Sequence, residues 1–181
     1  MYSLYFKPFP KILAEGLILR LNKFCDIKDI YEIYKDKEVC KYSDITPYTS
    51  ISDAFIYYKN NIKNYFNNKC YSFVVEDVTL KKVVGTITIT QASYNYKILQ
   101  IGYSFNKSFH KKGYATKALT AFLDFCFNTL KAKRVEALVI PENEASIKLL
   151  QRLGFTNEAT LKNGAILREN AVDVYMFSLI K

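Results

Sequence analysis

A chain of 181 residues and 21.0 kDa, half hydrophobic and 15% aromatic, is long enough for one well-filled core and too apolar for global disorder. Its 26 Lys and Arg against 17 Asp and Glu leave a net charge of +9, which favours an anionic ligand, but the basic residues are spread along the chain, which argues against nucleic acid as the partner. Four cysteines without a C-x-x-C pair and one histidine, His110, exclude a zinc site and read as reduced thiols; no run reaches the ~18 apolar residues of a membrane span.

The opening MYSLYFKPFPKILAEG, broken by Pro8 and Pro10, reads as neither signal peptide nor anchor, so a cytoplasmic protein with no membrane partner is expected. No repeat, low-complexity tract or linker divides the chain, and a single domain over residues 1–181 is expected. GLILRLN (16–22) alternates as a strand. From Asp26, read as an N-cap, Ile27, Ile30, Tyr31 and Tyr34 recur at helical spacing. A second helix is read from Ser52 as cap, with Phe55, Tyr58, Ile62, Tyr65 and Phe66 as its apolar stripe and the pair Asn67–Asn68 as its stop. YSFVVEDV (71–78) and VVGTITITQA (83–92), joined across Leu80–Lys82, read as an antiparallel hairpin.

ILQIGYSF (98–105) and RVEALVI (134–140) are further strands. Between them Leu119, Phe122, Leu123, Cys126, Phe127 and Leu130 form the buried stripe of a long helix, so residues 98–140 are expected to be a right-handed βαβ unit with parallel strands. A short helix from Asn143 to Leu153, stopped by Gly154, precedes two strand-like stretches, FTNEATL and VDVYMFSLI. The expected fold is α/β, a mixed and mostly antiparallel sheet around that central parallel unit.

Two segments carry chemistry. In NKSFHKKGYATKAL (106–119), Lys107, His110, Lys111, Lys112 and Lys117 gather around Gly113 where a helix opens. Free N–H groups, a positive dipole end and a glycine suit a phosphate. Neither a Walker loop nor G-x-G-x-x-G is present, so mononucleotide hydrolysis and dinucleotide redox chemistry lose their support. In PENEASIKLLQRLGF (141–155), Asn143 is placed to cap the helix and Ser146 lies one turn in, directed back toward the same sheet end.

Together the two segments resemble the GCN5-related N-acetyltransferase (GNAT) superfamily, in the branch containing the ribosomal-protein N-terminal acetyltransferases. His110-Lys111-Lys112-Gly113-Tyr114-Ala115 fills its Q/R-x-x-G-x-G/A loop, with GYAT-x-AL continuing; Pro141, Asn143, Ser146 and Leu153-Gly154-Phe155 match its later P-x-N-x-x-S and LGF signature. LILR at 17–20, D-x-x-D at 26–29 and D-x-x-x-x-S-L at 173–179 also fit, so the resemblance spans about 12–181. It implies that strands 98–105 and 134–140 splay apart at their C-terminal ends and that acetyl-CoA, as co-substrate, lies in the wedge. The pantetheine would pair with backbone near Tyr103, Ser104 and Phe105. The pyrophosphate would rest on the N–H groups of Lys111, Lys112, Gly113, Tyr114 and Ala115, with His110 and Thr116 flanking them as further cofactor-binding residues. Asn143 would hold the pantetheine or a bridging water, and Ser146 would protonate the departing thiolate, with no metal involved.

The implied reaction is direct attack of a primary amine on the thioester, the acceptor being a ribosomal or other protein N-terminus or a small molecule. Departures from the pattern are His110 for Gln or Arg, Lys117 for Glu, Gln100 where many members carry an acid, and Leu150 where some carry a Tyr acid. No general base is identified; Glu76 and Asp77 are the nearby carboxylates, while Tyr42, Tyr48, Tyr57, Tyr58, Tyr65, Asp44 and Asp53 lie in the helical region over the acceptor side. Alternatives are a CoA-binding module without catalysis, an RNA- or ribosome-docking protein of the same fold, and a different acyl donor such as succinyl-CoA. A monomer or a homodimer is equally compatible with the sequence.

Overall fold

The computed structural model describes residues 8–67, 70–93 and 97–181; the Met1–Lys7 part of the opening segment and Asn68 of the helix stop lie outside the described residues. Eight strands, β1 (Ile12–Ala14), β2 (Leu17–Leu21), β3 (Tyr71–Asp77), β4 (Lys82–Ser93), β5 (Ile98–Phe105), β6 (Arg134–Val139), β7 (Thr156–Leu167) and β8 (Asn170–Ile180), form one sheet in the order β1-β2-β3-β4-β5-β6-β8-β7. Every neighbouring pair is antiparallel except β5–β6. Among the described residues five α-helices cover the sheet: α1 (Ile27–Tyr34), α2 (Lys37–Cys40), α3 (Ile51–Phe66), α4 (Tyr114–Asp124) and α5 (Glu144–Arg152).

Strand alternation sends side chains to two cores. On one face Phe73, Val75, Ile87, Ile101 and Phe105 pack with Leu119 and Phe122 of α4 and Leu150 of α5. On the other, Val74 and Val83 pack with Ile30, Ile33 and Tyr34 of α1 and Ala54 of α3. A strand covered on both faces cannot afford polar alternation, which is why YSFVVED is buried at all but one position.

The expected βαβ unit is present, with α4 running on through a π-type turn at Phe125–Thr129. Several local expectations are corrected. β1 and α2 were not legible. Helix α3 is capped by Ser50, not Ser52, in a capping box with Asp53. Its buried residues are Ala54 and Tyr65, whereas Phe55 and Phe66 are 40% and 63% exposed, so the stripe is rotated from the one read in the sequence. Asp26 stands at the N-cap of α1 as expected, but its side chain makes no capping bond to that helix: it ends a 3₁₀ turn (Phe24–Asp26), accepts from the Lys23 N–H at 2.6 Å, and receives both Nη groups of buried Arg20 at 2.7 and 2.9 Å.

The β5–β6 pairing decides where a ligand fits. Its register runs over only three pairs, Ile98↔Arg134, Leu99↔Val135 and Gln100↔Glu136, although β5 continues to Phe105 and β6 to Val139. Beyond Gln100 the strands diverge. The Asn106 N–H donates to the Val84 carbonyl, so by antiparallel alternation Ser104 and Gly102 spend their backbone groups on β4, and Tyr103 and Phe105 direct theirs toward the β6 side. The ladder groups of Tyr103 and Phe105 therefore face the gap.

Candidate active site

One wall of this wedge is the end of β5 and the loop after it. A 3₁₀ turn (Lys107–Phe109), capped by the Asn106 side chain, leads to His110, Lys111 and Lys112, and Gly113 opens α4 with φ +83°. Lys111 also takes a positive φ, 59°. The first helical bond of α4 is Lys117 N–H to the Gly113 carbonyl, so the N–H groups of Gly113, Tyr114, Ala115 and Thr116 have no partner within the helix. Lys111, Lys112 and Gly113 are exposed, and this end of α4 is open to an anion. Lys107 lies 3.9 Å from Asp36, and Lys117 pairs with Glu15 at 3.1 Å.

Two tethers hold the loop. The Tyr114 hydroxyl donates to Asp77 Oδ2 at 2.7 Å, and Asp77 also accepts from the Leu80 N–H at 2.8 Å. These bonds hold the Asp77 carboxyl below its usual range, the Leu80 amide being the larger cause. The His110 Nε2 lies 2.9 Å from the Phe105 carbonyl, which can only accept, so Nε2 carries the proton. His110 thereby braces the end of β5.

The opposite wall is α5. Asn143 caps it as expected, its Oδ1 accepting from the Ser146 N–H at 3.1 Å. The Ser146 hydroxyl meets the Tyr103 hydroxyl at 2.7 Å, a bond that ties α5 to β5 across the wedge. Burial pushes the Tyr103 phenol up to about 12. Sequence reading assigned Tyr103 through its backbone and missed this side-chain contact. The signal was the parity of β5, which puts Ile101, Tyr103 and Phe105 on the α4–α5 face.

The other face of the wedge lies toward α1. Here Tyr34 bonds Thr86 at 2.7 Å, and Tyr57, Ser72 and Thr88 form a chain at 3.1 and 2.9 Å, with Tyr48 packed 5.3 Å from the Tyr34 ring. A cleft of about 570 Å³ opens beside them, lined by Tyr31, Glu32, Lys35, Asp36, Tyr48 and Asn106 to Ser108. Tyr65 instead belongs to the core, edge-on to Phe9 at 5.2 Å. Both carboxylates considered as a base, on β3, are engaged: Glu76 pairs with Arg20, and Asp77 accepts from Tyr114 and Leu80. Gln100 lies in register with Glu136, whose carboxylate accepts from Arg134 Nε at 2.6 Å. Among the described residues no cluster of His, Cys, Asp and Glu suits a metal ion.

The family described as acetyltransferase (GNAT) domain matches residues 17–156. The chain belongs to the GNAT family. An uncharacterized N-acetyltransferase of Bacillus licheniformis, p20, is 33% identical over 172 residues, covering 94% of this chain and 96% of that one. A GNAT acetyltransferase structure from Bacillus anthracis superposes with a TM-score of 0.83 at 26% identity, covering 94% and 98%. At 22% identity the ribosomal-protein-S5-alanine acetyltransferase of Vibrio fischeri shares the fold, with a TM-score of 0.79 over 94% and 96% of the two chains. GNAT enzymes take their acyl group from acetyl-CoA, and the residues here fit that molecule: β5 backbone groups beyond the β5–β6 register for an amide-bearing arm, a helix N-terminus among lysines for its phosphates, and hydroxyls between the two walls.

Proposed function

We propose that this N-acetyltransferase acetylates an α-amine, that of an amino acid or a protein N-terminus, by direct attack on acetyl-CoA lying in the β5–β6 wedge. The observation that carries the reading is the three-pair parallel register, which leaves Tyr103 and Phe105 facing a gap that ends at the open N-terminus of α4. In this reading the pantetheine amides pair with Tyr103 and Phe105 beside Ser104. The pyrophosphate rests on the N–H groups from Lys111 to Thr116, with the lysines adding charge. Asn143 orients the first turn of α5, and Ser146 offers its hydroxyl to the leaving sulfur. The amine approaches from the α1 side, past Tyr48 and the cleft beside Asp36.

The acceptor class follows from proton supply. The position in β5 where many relatives carry an acid is Gln100, and its cross-strand neighbour Glu136 is engaged by Arg134. An α-amine with pKa near 8 is about one-tenth neutral at pH 7, while a lysine-like amine near 10.4 is neutral in only about 1 molecule in 2,500. A site without a poised base therefore meets the first in its neutral, reactive form more than about a hundredfold more often than the second. The Vibrio fischeri relative supports the same reading, being named for acetylating an alanine of ribosomal protein S5.

The test is release of free thiol from acetyl-CoA with a panel of amino acids, N-terminal peptides, polyamines and lysine derivatives, with the product mass recorded. Turnover on α-amines with a mass gain of one acetyl group is expected. Turnover confined to polyamines would refute the acceptor class, and tight CoA binding with no thiol release would refute catalysis.

A further inference from the structure

We infer that Tyr103 is a positioning residue for thiolate departure: its hydroxyl donates to Ser146 Oγ and thereby commits the single Ser146 proton to the wedge. The inference rests on the acetyl-CoA reading above and names a group which that reading leaves unassigned.

The two hydroxyls lie 2.7 Å apart, Tyr103 on β5 and Ser146 in the first turn of α5. Tyr103 is three residues, about 10 Å, beyond the last β5–β6 pair at Gln100. The contact is thus made beyond the last parallel pair, on the α4–α5 face of the sheet, between the strand that borders the gap on one side and the helix on the other. Each hydroxyl has one proton and can also accept, so one of them must donate. A phenol is a stronger acid than an alkyl alcohol and is the better donor; desolvation keeps Tyr103 protonated throughout the neutral range. Ser146 Oγ then accepts, and its own proton is free for a third atom. The Ser146 backbone N–H is spent on Asn143, so the residue is fixed from two directions. Leu150, one turn further along α5, is buried and carries no donor, so Ser146 is the hydroxyl that α5 presents here.

In the reaction the amine nitrogen bonds to the carbonyl carbon, the C–S bond breaks, and sulfur leaves with the electron pair. Ser146 donates a hydrogen bond to that sulfur. The nitrogen gives up one proton to solvent and the thiolate takes one from it, so neither Tyr103 nor Ser146 is consumed. Tyr103 touches no reacting atom.

Tyr103→Phe, Ser146→Ala and the double variant are compared for kcat and KM, for CoA affinity by calorimetry, and for thermal midpoint. Acetyl-CoA hydrolysis without acceptor is measured in parallel, because it breaks the same C–S bond. Tyr103→Phe is expected to lower kcat about five- to tenfold with CoA affinity within twofold and little change in melting, and the double variant to be no slower than Ser146→Ala alone. Unchanged kcat in Tyr103→Phe, or a double-variant loss equal to the product of the two single losses, overturns the inference. If no amine is acetylated the acceptor reading fails, and the hydrolysis rates still decide the role of Tyr103: equal rates in wild type and Tyr103→Phe overturn it.

Discussion

Gly113 stands at φ +83°, and a Cβ built there meets nothing within 4 Å, so the position is restricted by backbone conformation and not by space. A β-branched residue in this region costs roughly 1–3 kcal/mol of strain. The loop will relieve that strain by turning its N–H groups away from their common focus. Gly113→Val is therefore expected to weaken CoA binding at least tenfold by calorimetry while the circular dichroism spectrum is retained; unchanged affinity would remove the cradle assignment. The glycine was legible in the sequence because a phosphate loop needs a residue of this type before a helix. The partners of charged residues were less so. The LILR and D-x-x-D segments were visible as a family pattern, but only the fold reveals their use: Arg20 clamps Asp26 with two bonds, and Asp29 accepts from the Val83 N–H at 2.8 Å. Val83 is 54 residues from Asp29, and no local periodicity encodes such a pair.

Elements with a strong period were read correctly, and those without one were not. β5 carries a hydrophobic alternation, and α4 with the π-type turn that continues it a six-residue stripe ending at Leu130, so both stood out, whereas β1 has three residues and α2 four, too few to show any period. Cap choice between Ser50 and Ser52 turned on Asp53, which closes a box only with the former. The β4–β5 pair has a further requirement. A Cβ at Gly85 would lie 2.4 Å from Phe105 Cδ1 and 2.8 Å from the Ser104 carbonyl, so Gly85→Ala forces the Phe105 ring and the end of β5 to readjust. The expected cost is about 1–3 kcal/mol in denaturant unfolding, together with weaker CoA binding; a variant of wild-type stability would show that Phe105 moves freely. At the other edge, β6, β7 and β8 are joined by Arg134, Glu158 and Ser178, with the Ser178 hydroxyl donating to Glu158 at 2.6 Å. The Arg134 guanidinium, aided by that hydroxyl, holds the Glu158 carboxyl down at about 2. A carboxyl lowered on folding stabilises fully above its unfolded pKa and loses that contribution as the pH falls through the folded value. The melting temperature should therefore drop between about pH 5 and pH 2, and Glu158→Gln should drop less steeply. Parallel slopes for the two proteins would show that this cluster has no part in acid stability.

Across the whole molecule the sheet consists of two portions, β1 to β5 and β6-β8-β7, joined through the ladder by three parallel pairs and otherwise by the core that α4 and α5 share. This division was expected only through the family resemblance, because alternation within β5 and β6 reports burial and says nothing about where their pairing stops. A ligand arm seated in the gap supplies the missing ladder partners and contacts both portions, so its binding energy becomes folding stability. At a hundredfold excess over Kd the linkage amounts to about 2.7 kcal/mol, which for a chain of this length raises the melting temperature by about 5–10 °C. Amide exchange gives the local counterpart. Free protein should exchange the Tyr103 and Phe105 N–H groups faster than those of Gly102 and Ser104, which β4 engages, and saturating CoA should slow the first pair selectively. A rise in melting temperature with no change at Tyr103 and Phe105 would place the cofactor elsewhere on this cationic surface. Protection at those two amides but not at the α4 N-terminus would separate the arm from the phosphate cradle and leave the first standing without the second.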